Sequence, residues 1–362
     1  MKEYSNIKQS AIRKSRTSNL ILRKYSGKLP DDVIPGVVIA IIGRNVVVEI
    51  NENDIINSKY AVNNAINSKI HSAANRCNQQ FRQKKIDCIY SGTIITKNKY
   101  SNILTVGDNV YIKYIPDSLS KIISIIDRTT KLSRKDNSNN NREQIIAANI
   151  CTLIIFVSIL EPEINLRLID RFIVSALISK IEPIIFVNKI DLLSLQQVVA
   201  LMKPYRALKI KVFYGSILEN KGVEKFLQFL KNKNSVLLGV SGSGKSSLLN
   251  CIFREQIQKI RDINQRTQKG VHTTSFSHLF RFPKGGSIID TPGIREFGIW
   301  DLHKEELGVI FPDFRNYYLN CKYTSCNHIC EPGCAVLTAV EQGKIKEDRY
   351  ISYLNIYSTL EN

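Results

Sequence analysis

Residues 239–247 read GVSGSGKSS and follow the apolar run Val236-Leu237-Leu238. The stretch fits G-x-x-x-x-G-K-[ST], a loop that works only where a strand delivers it and a helix carries it away. The run before it has the continuous apolar character of a buried strand, and KSSLLN after it opens a helix. Gly239, Gly242 and Gly244 let the backbone turn its N–H groups onto a phosphate, and the helix N-terminus adds partial positive charge. Gly239, Val240, Ser241, Gly242, Ser243, Gly244, Lys245, Ser246 and Ser247 are therefore expected to hold a nucleoside phosphate. Lys245 would reach the β- and γ-phosphates, and the Ser246 hydroxyl would ligate Mg2+.

The surroundings agree. From residue 144 the chain runs TLIIFVSI, a helix around LRLIDRFIVSALISK, PIIFVNKIDLL, a helix, KIKVFYG, a helix, the phosphate loop, and GSIIDTPG. Apolar strands alternating with amphipathic helices predict a multidomain α/β chain with a doubly wound, mostly parallel sheet. Asn188-Lys189-Ile190-Asp191 comes directly after PIIFV. An ionised carboxylate only accepts, so Asp191 suits the N1–H and amino donors of guanine. Adenine offers an acceptor at N1 and would leave buried polar groups unpaired. Ser216, in YGSILENKG, is a further expected base contact through its backbone.

In Asp290-Thr291-Pro292-Gly293, the Asp290 carboxylate is placed to hold Mg2+ through water and Gly293 to offer its N–H to a γ-phosphate. Between the phosphate loop and this turn lies QKGVHTTSF at 268–276, where Thr273 or Thr274 would complete the Mg2+ shell. Many GTPases orient the attacking water with a Gln just after this turn, but Ile294 stands there, so unaided turnover should be slow. His272 is the polar side chain left to position water, which makes His272, Lys245 and Thr274 the expected catalytic set.

Ordinary GTPases present the phosphate loop, then D-x-x-G, then N-K-x-D. Here NKID comes first, then GVSGSGKS, then DTPG. The order implies a circular permutation, which costs a sheet little when the original termini lie close together. It also sends the chain from the DTPG turn almost directly into whatever follows.

Outside this region, GVVIAIIGRNVVVEI at 36–50 reads as a hairpin about a Gly-Arg-Asn turn. After a polar stretch at 51–86 come DCIYSGTIIT, NILTV, NVYIKYI and KIISIID, short strands spaced as in a small barrel. Residues 131–143, KLSRKDNSNNNRE, have the composition of a linker or mobile loop. Near the C-terminus, CKYTSCNHICEPGC at 321–334 offers Cys321, Cys326, His328 and Cys334 as a closed structural zinc site, with Cys330 a competing fifth donor. No open coordination position or general base points to a catalytic zinc. Cys77, Cys88, Cys151 and Cys251 are scattered, as in a reducing compartment. The divisions expected are a basic flexible tail at 1–32, the barrel at 33–130, the permuted nucleotide domain at 131–300 and a small helical zinc-binding domain at 301–362.

Lys and Arg outnumber Asp and Glu by 51 to 32, a formal charge of +19, which suits a polyanionic partner such as nucleic acid. The longest apolar stretch, ICTLIIFVSIL at 150–160, is about half what a membrane helix needs, so no membrane anchor is expected. The leader contains Arg13, Lys14, Arg16, Arg23 and Lys24, and its apolar run Leu20-Ile21-Leu22 is too short for a secretory core. It reads either as an RNA-binding tail or as an organellar transit leader.

AAN at 147–149, NKIDLL, GVSGSGKSSLLN, GVHTT, IIDTPGIREFG at 288–298, and CKYTSCNH with EPGCAV together resemble the bacterial ribosome small subunit-dependent GTPase A family from about residue 33 onward. The resemblance implies an N-terminal oligonucleotide-binding (OB) fold, a circularly permuted GTPase and a C-terminal zinc domain. It implies GTP hydrolysis stimulated by the small ribosomal subunit, a role in late assembly of that subunit and a cytoplasmic setting. Charge and the small barrel together point to rRNA contact, and a monomeric chain is expected. The resemblance makes Cys321, Cys326, His328 and Cys334 the zinc ligands and Cys330 a neighbour, and it supports His272 as catalytic. The polar stretch 51–86 has no counterpart in the family's compact barrel, and Ile217 stands where the family has a small residue. Two other classes compete: an RNA-binding assembly module with a slow or inactive nucleotide switch, and a P-loop kinase or ATPase. NKID and the cysteine cluster argue against the last.

Overall fold

The computed structural model describes residues 33–57, 83–90, 104–136, 139–266, 277–291 and 297–360. Alternating β-branched residues form strands β1 (Val33–Ile42) and β2 (Asn45–Asn51), the expected hairpin. A short helix, α1 (Glu52–Asn57), opens the polar insertion, whose residues 58–82 lie outside the described residues. Strands β3 (Gln83–Tyr90), β4 (Asn109–Lys113) and β5 (Ser120–Ile125) complete a barrel of order β1-β2-β3-β5-β4 that closes on itself through a β1–β4 pairing. Every pairing is antiparallel except β3 with β5. Val38, Val46, Val48, Val110, Ile112 and Ile122 fill its interior. A closed five-stranded barrel with these pairings is the OB-fold arrangement.

Residues 131–136 and 139–143 are not a linker or mobile loop. They belong to an antiparallel hairpin of β6 (Lys131–Asp136) and β7 (Asn139–Ala148). The polar composition misleads because the side chains satisfy one another across the strands. Glu143, 3% exposed, accepts from Lys131 Nζ at 2.5 Å and Ser133 Oγ at 2.6 Å, and Arg134 donates to Gln144 at 2.8 Å. Leu132, Ile145, Ala147 and Ala148 are buried at the foot of the hairpin, and Ile146 packs against the sheet-domain core.

The next strands are β8 (Thr152–Ser158), β9 (Glu182–Asn188), β10 (Lys211–Tyr214), β11 (Asn234–Leu238), β12 (His278–Arg281) and β13 (Ser287–Asp290). They lie side by side as β10-β9-β8-β11-β13-β12, all parallel but for β12. Helices α2 (Leu166–Ile178), α3 (Leu195–Leu201) and α4 (Lys203–Ala207) share a core with one face of the sheet. Helices α5 (Val223–Leu230) and α6 (Lys245–Arg266) cover the other, as the doubly wound expectation requires. Strand β12, which the sequence reading did not single out, pairs with β1 through Ala40 and His278, so sheet and barrel are continuous.

The C-terminal helices α7 (Lys304–Ile310), α8 (Ala335–Glu341) and α9 (Glu347–Tyr357) pack around Phe311, Phe314 and Tyr353. This core includes Val174 of α2, so the C-terminal part is seated on the back of the sheet domain. Among the described residues, no helix is long and apolar enough to cross a membrane.

Candidate nucleotide site and metal centre

Strand β11 ends at Leu238, and the chain turns at once across the end of β8. A Cβ on Gly239 would lie 2.1 Å from the Phe156 carbonyl oxygen, so only glycine permits this approach. Gly244 has φ of +100°, and a Cβ there would meet Asn188 Nδ2 at 2.4 Å. The loop is thus pressed against the end of β9. Asn188 Nδ2 donates to the Ser243 carbonyl at 2.9 Å, while its Oδ1 accepts from the Ile217 N–H at 3.1 Å. Lys189, with φ of +61°, donates its ammonium to the Glu161 carbonyl. Asp191 follows in a turn of 3-10 helix, with its side chain exposed. Buried Ser216 exchanges backbone hydrogen bonds with Lys221, and its Oγ accepts from the Glu219 N–H at 3.2 Å.

Asn188, Lys189, Asp191, Ser216, Gly244 and Ser247 line one open cleft of about 940 Å3. It sits at the C-terminal ends of the parallel strands, where doubly wound sheets take ligands. Residues distant in the chain and permuted in order are brought together there. Glu161, Leu218 and Arg254 also line the cleft and were missed. Position could have found them. Glu161 follows the C-terminal end of β8, Leu218 comes two residues after Ser216, and Arg254 shares a helical face with Ser247 and Cys251.

On the phosphate side, Lys245 Nζ donates to the carbonyls of Gly239 at 2.7 Å and Val240 at 2.9 Å. Burial makes its ammonium easier to deprotonate, and the Asp290 carboxylate opposes that effect. Burial also pushes the Asp290 carboxyl up to about 6, against the pull of Lys245 and the Thr291 N–H. Thr291 Oγ1 donates to the Leu237 carbonyl at 2.9 Å, fastening the end of β13 to the strand that carries the loop. Ser246 and Ser247 are exposed in the first turn of α6. His272, Thr273, Thr274, Gly293 and Ile294 lie outside the described residues.

The metal centre is compact. The ligand atoms of Cys321, Cys326, His328 and Cys334 all lie within 4.8 Å of one another. Cys321 Sγ is 3.9 Å from Cys334 Sγ, and both sulfurs are 3.5 Å from His328 Nδ1. Tetrahedral bonds of about 2.3 Å to sulfur and 2.0 Å to nitrogen would put donors roughly 3.5 to 3.8 Å apart, so these residues fit a four-coordinate ion. Cys330 is exposed and outside the group. The chain around the ligands is itself held. Glu331 accepts from the N–H groups of Asn327, Ile329 and Cys330, and Tyr350 and Tyr353 donate to the carbonyls of His328 and Asn327.

Fold and site together define a circularly permuted GTPase. A model of the RsgA GTPase family matches residues 125–300. The protein named small ribosomal subunit biogenesis GTPase RsgA from Chlorobaculum parvum is 35% identical over 285 residues, which cover 76% of this chain and 92% of that one. Its namesake in Pectobacterium carotovorum is 38% identical over 266 residues, covering 71% and 75%. Among solved structures, YjeQ from Thermotoga maritima aligns with a TM-score of 0.63 at 28% identity, covering 91% of this chain and 98% of its own. YloQ, described as a circularly permuted GTPase, aligns with a TM-score of 0.61 at 26% identity, covering 92% and 96%. The chain belongs to the RsgA GTPase family.

Proposed function

We propose that this GTPase acts on the small ribosomal subunit during its late assembly, binding GTP with Mg2+ and hydrolysing it to GDP and phosphate when the subunit is engaged. The observation that carries this reading is the single cleft shared by the NKID turn, the Ser216 loop and the phosphate loop. Asp191 reads guanine through its two acceptor oxygens, and the Ser216 backbone supplies a second contact to the base. Asn188 binds the base-reading strand to the phosphate loop. The N–H groups from Gly239 to Ser247 and the Lys245 ammonium bind phosphate. Ser246, Asp290 and Thr273 or Thr274 would hold Mg2+, which when bound offsets charge on the β- and γ-phosphates. Gly293 offers its N–H to the γ-phosphate, and His272 orients water.

The four ligands Cys321, Cys326, His328 and Cys334 would hold a structural zinc that fixes the C-terminal domain. RNA contact falls to the barrel and the basic segment before it. Arg44, Lys84, Lys85, Lys113 and Lys121 are exposed on the barrel, and Lys84 lies over the Tyr114 ring and donates to its hydroxyl, supporting phosphate contacts whose strength falls with salt. The setting is cytoplasmic, and the functional divisions are 1–32, 33–130, 131–300 and 301–362.

The test is GTP turnover by the purified chain, alone and with small ribosomal subunits, beside His272→Ala. Strong stimulation that His272→Ala abolishes is expected. Tight subunit binding without stimulation would instead make the chain an RNA-binding module with a silent nucleotide switch.

A further inference from the structure

Strand β12 is four residues long, yet the phosphate site converges on it. In the chain it follows residues 267–276, which carry His272, Thr273 and Thr274. Along one edge it pairs with β13, setting His278 opposite Asp290. Phe280 and Phe282 each lie 5.2 Å from Phe253, the residue where α6 leaves helical geometry at φ −122° and ψ 28°. One turn further on, Gln256 Nε2 donates to the Arg281 carbonyl at 2.9 Å. The helix that begins at Lys245 is therefore bonded to β12 beyond its bend.

The other edge of β12 meets the barrel, and among the described residues the backbone joint there is the single pair Ala40 with His278. A side-chain pair reinforces it. Arg281 Nε lies 2.7 Å from Oε2 of Glu49 on β2, and Glu49 is 7% exposed. Lys85 is the residue opposite Glu49 on β3, and the ion pair Glu49 makes across the joint is with Arg281. Arg281 thus belongs to two contacts at once, its side chain to the barrel and its carbonyl to the helix of the phosphate loop.

We propose that Arg281 is a positioning residue: through Glu49 it lets the barrel set the alignment of β12, and with it the phosphate-loop helix and Asp290. The inference rests on the reading of Lys245, Ser246 and Asp290 as phosphate and Mg2+ residues. By linkage, whatever shifts the barrel against the sheet changes nucleotide affinity, and nucleotide occupancy changes the barrel's affinity for its partner by the same factor.

The test uses the full chain and the rate at which it releases a fluorescent N-methylanthraniloyl GDP. Thermal unfolding is followed in parallel on Arg281→Met, Glu49→Gln, the double variant and Arg281→Lys. Arg281→Met and Glu49→Gln should each accelerate release by about fivefold or more. The double variant should be no faster than the faster single, and Arg281→Lys should recover part of the native rate. Native release rates in both single variants, whatever their unfolding temperatures, would reduce the pair to a structural clamp and overturn the inference. Additive effects in the double variant would overturn it too, because the two residues would then act separately. If the unaltered chain does not bind the labelled GDP, the nucleotide assignment fails and the inference falls with it.

Discussion

Asn188 donates through Nδ2 to the carbonyl of Ser243 at 2.9 Å, a bond between residues 55 apart in the chain that joins the base-reading strand to the phosphate loop. Its other half is also committed, to the Ile217 N–H. Truncation to alanine removes the partner of a buried carbonyl and of a half-buried N–H. Asn188→Ala should lower stability by about 1–3 kcal/mol and weaken GDP binding by roughly tenfold or more. Thermal unfolding and a titration with labelled GDP check both. Unaltered GDP affinity in a folded variant would mean that the two loops keep their relative position without this amide.

The metal centre predicts a contrast between neighbouring cysteines. Cys334 lies within the four-ligand group and also caps α8, its sulfur accepting from the Leu337 N–H at 3.5 Å. Cys330 is exposed and outside the group. Cys334→Ser should lose bound zinc and loosen the C-terminal helices, because a structural ion's binding energy is folding energy. Cys330→Ser should keep one zinc per chain. Elemental analysis of both purified variants decides it, and loss of zinc from Cys330→Ser would overturn the ligand assignment.

Asp290 sets function against stability. Its folded value of about 6 lies above the ordinary 3.8, because burial disfavours the carboxylate. The contribution of the neutral form is therefore fully present below about pH 4 and is lost as pH rises through about 6. At pH 8 the native state carries a buried charge only partly offset by Lys245. Asp290→Asn should accordingly raise stability at pH 8 by about 1–3 kcal/mol, do little at pH 4, and abolish Mg2+-dependent GTP binding. Unfolding temperatures across this range, with the variant beside the unaltered chain, would show the gap opening with pH. A constant gap would point to a cause other than ionisation.

Legibility from sequence followed chemistry. The phosphate loop, NKID and the cysteine cluster were readable because each needs fixed residue types at fixed spacing, and the chain order of the first two carried the permutation. The hairpin at β6 and β7 was unreadable because its side chains pair with one another across the strands, as Glu143 does with Lys131 and Ser133. Composition cannot distinguish that from solvation. Strand β12 was missed because four residues hold too little periodicity, and its place comes from long-range partners: Asp290, Ala40 and Glu49. Glu161 lines the cleft, and its backbone carbonyl takes the Lys189 ammonium, a contact no side-chain pattern reveals.

The C-terminal domain is joined to the sheet domain by a charge cluster that makes a final prediction. Arg349, 5% exposed, pairs with Asp170 of α2 and, at 2.8 Å, with Asp313. Ser352 donates to the second oxygen of Asp170 at 2.5 Å, and the guanidinium lies 4.9 Å from the Tyr205 ring centre and 5.4 Å from that of Phe311. Arg171 adds contacts to the Asn355 carbonyl and Thr359. Removing Arg349 strands the Asp170 and Asp313 carboxylates in a desolvated seam, so Arg349→Met should cost about 3–5 kcal/mol. The loss should fall first on the seam, so limited proteolysis should release a C-terminal fragment before the nucleotide domain is cut. Combining Arg349→Met with Asp170→Leu and Asp313→Leu should recover much of the stability, since a buried ionic cluster contributes little over apolar groups that pack as well. Denaturant unfolding of the single and triple variants measures both effects. A triple variant as unstable as the single one would show that the seam depends on the geometry of the fork, through Tyr205 and Phe311, rather than on neutralising its charges.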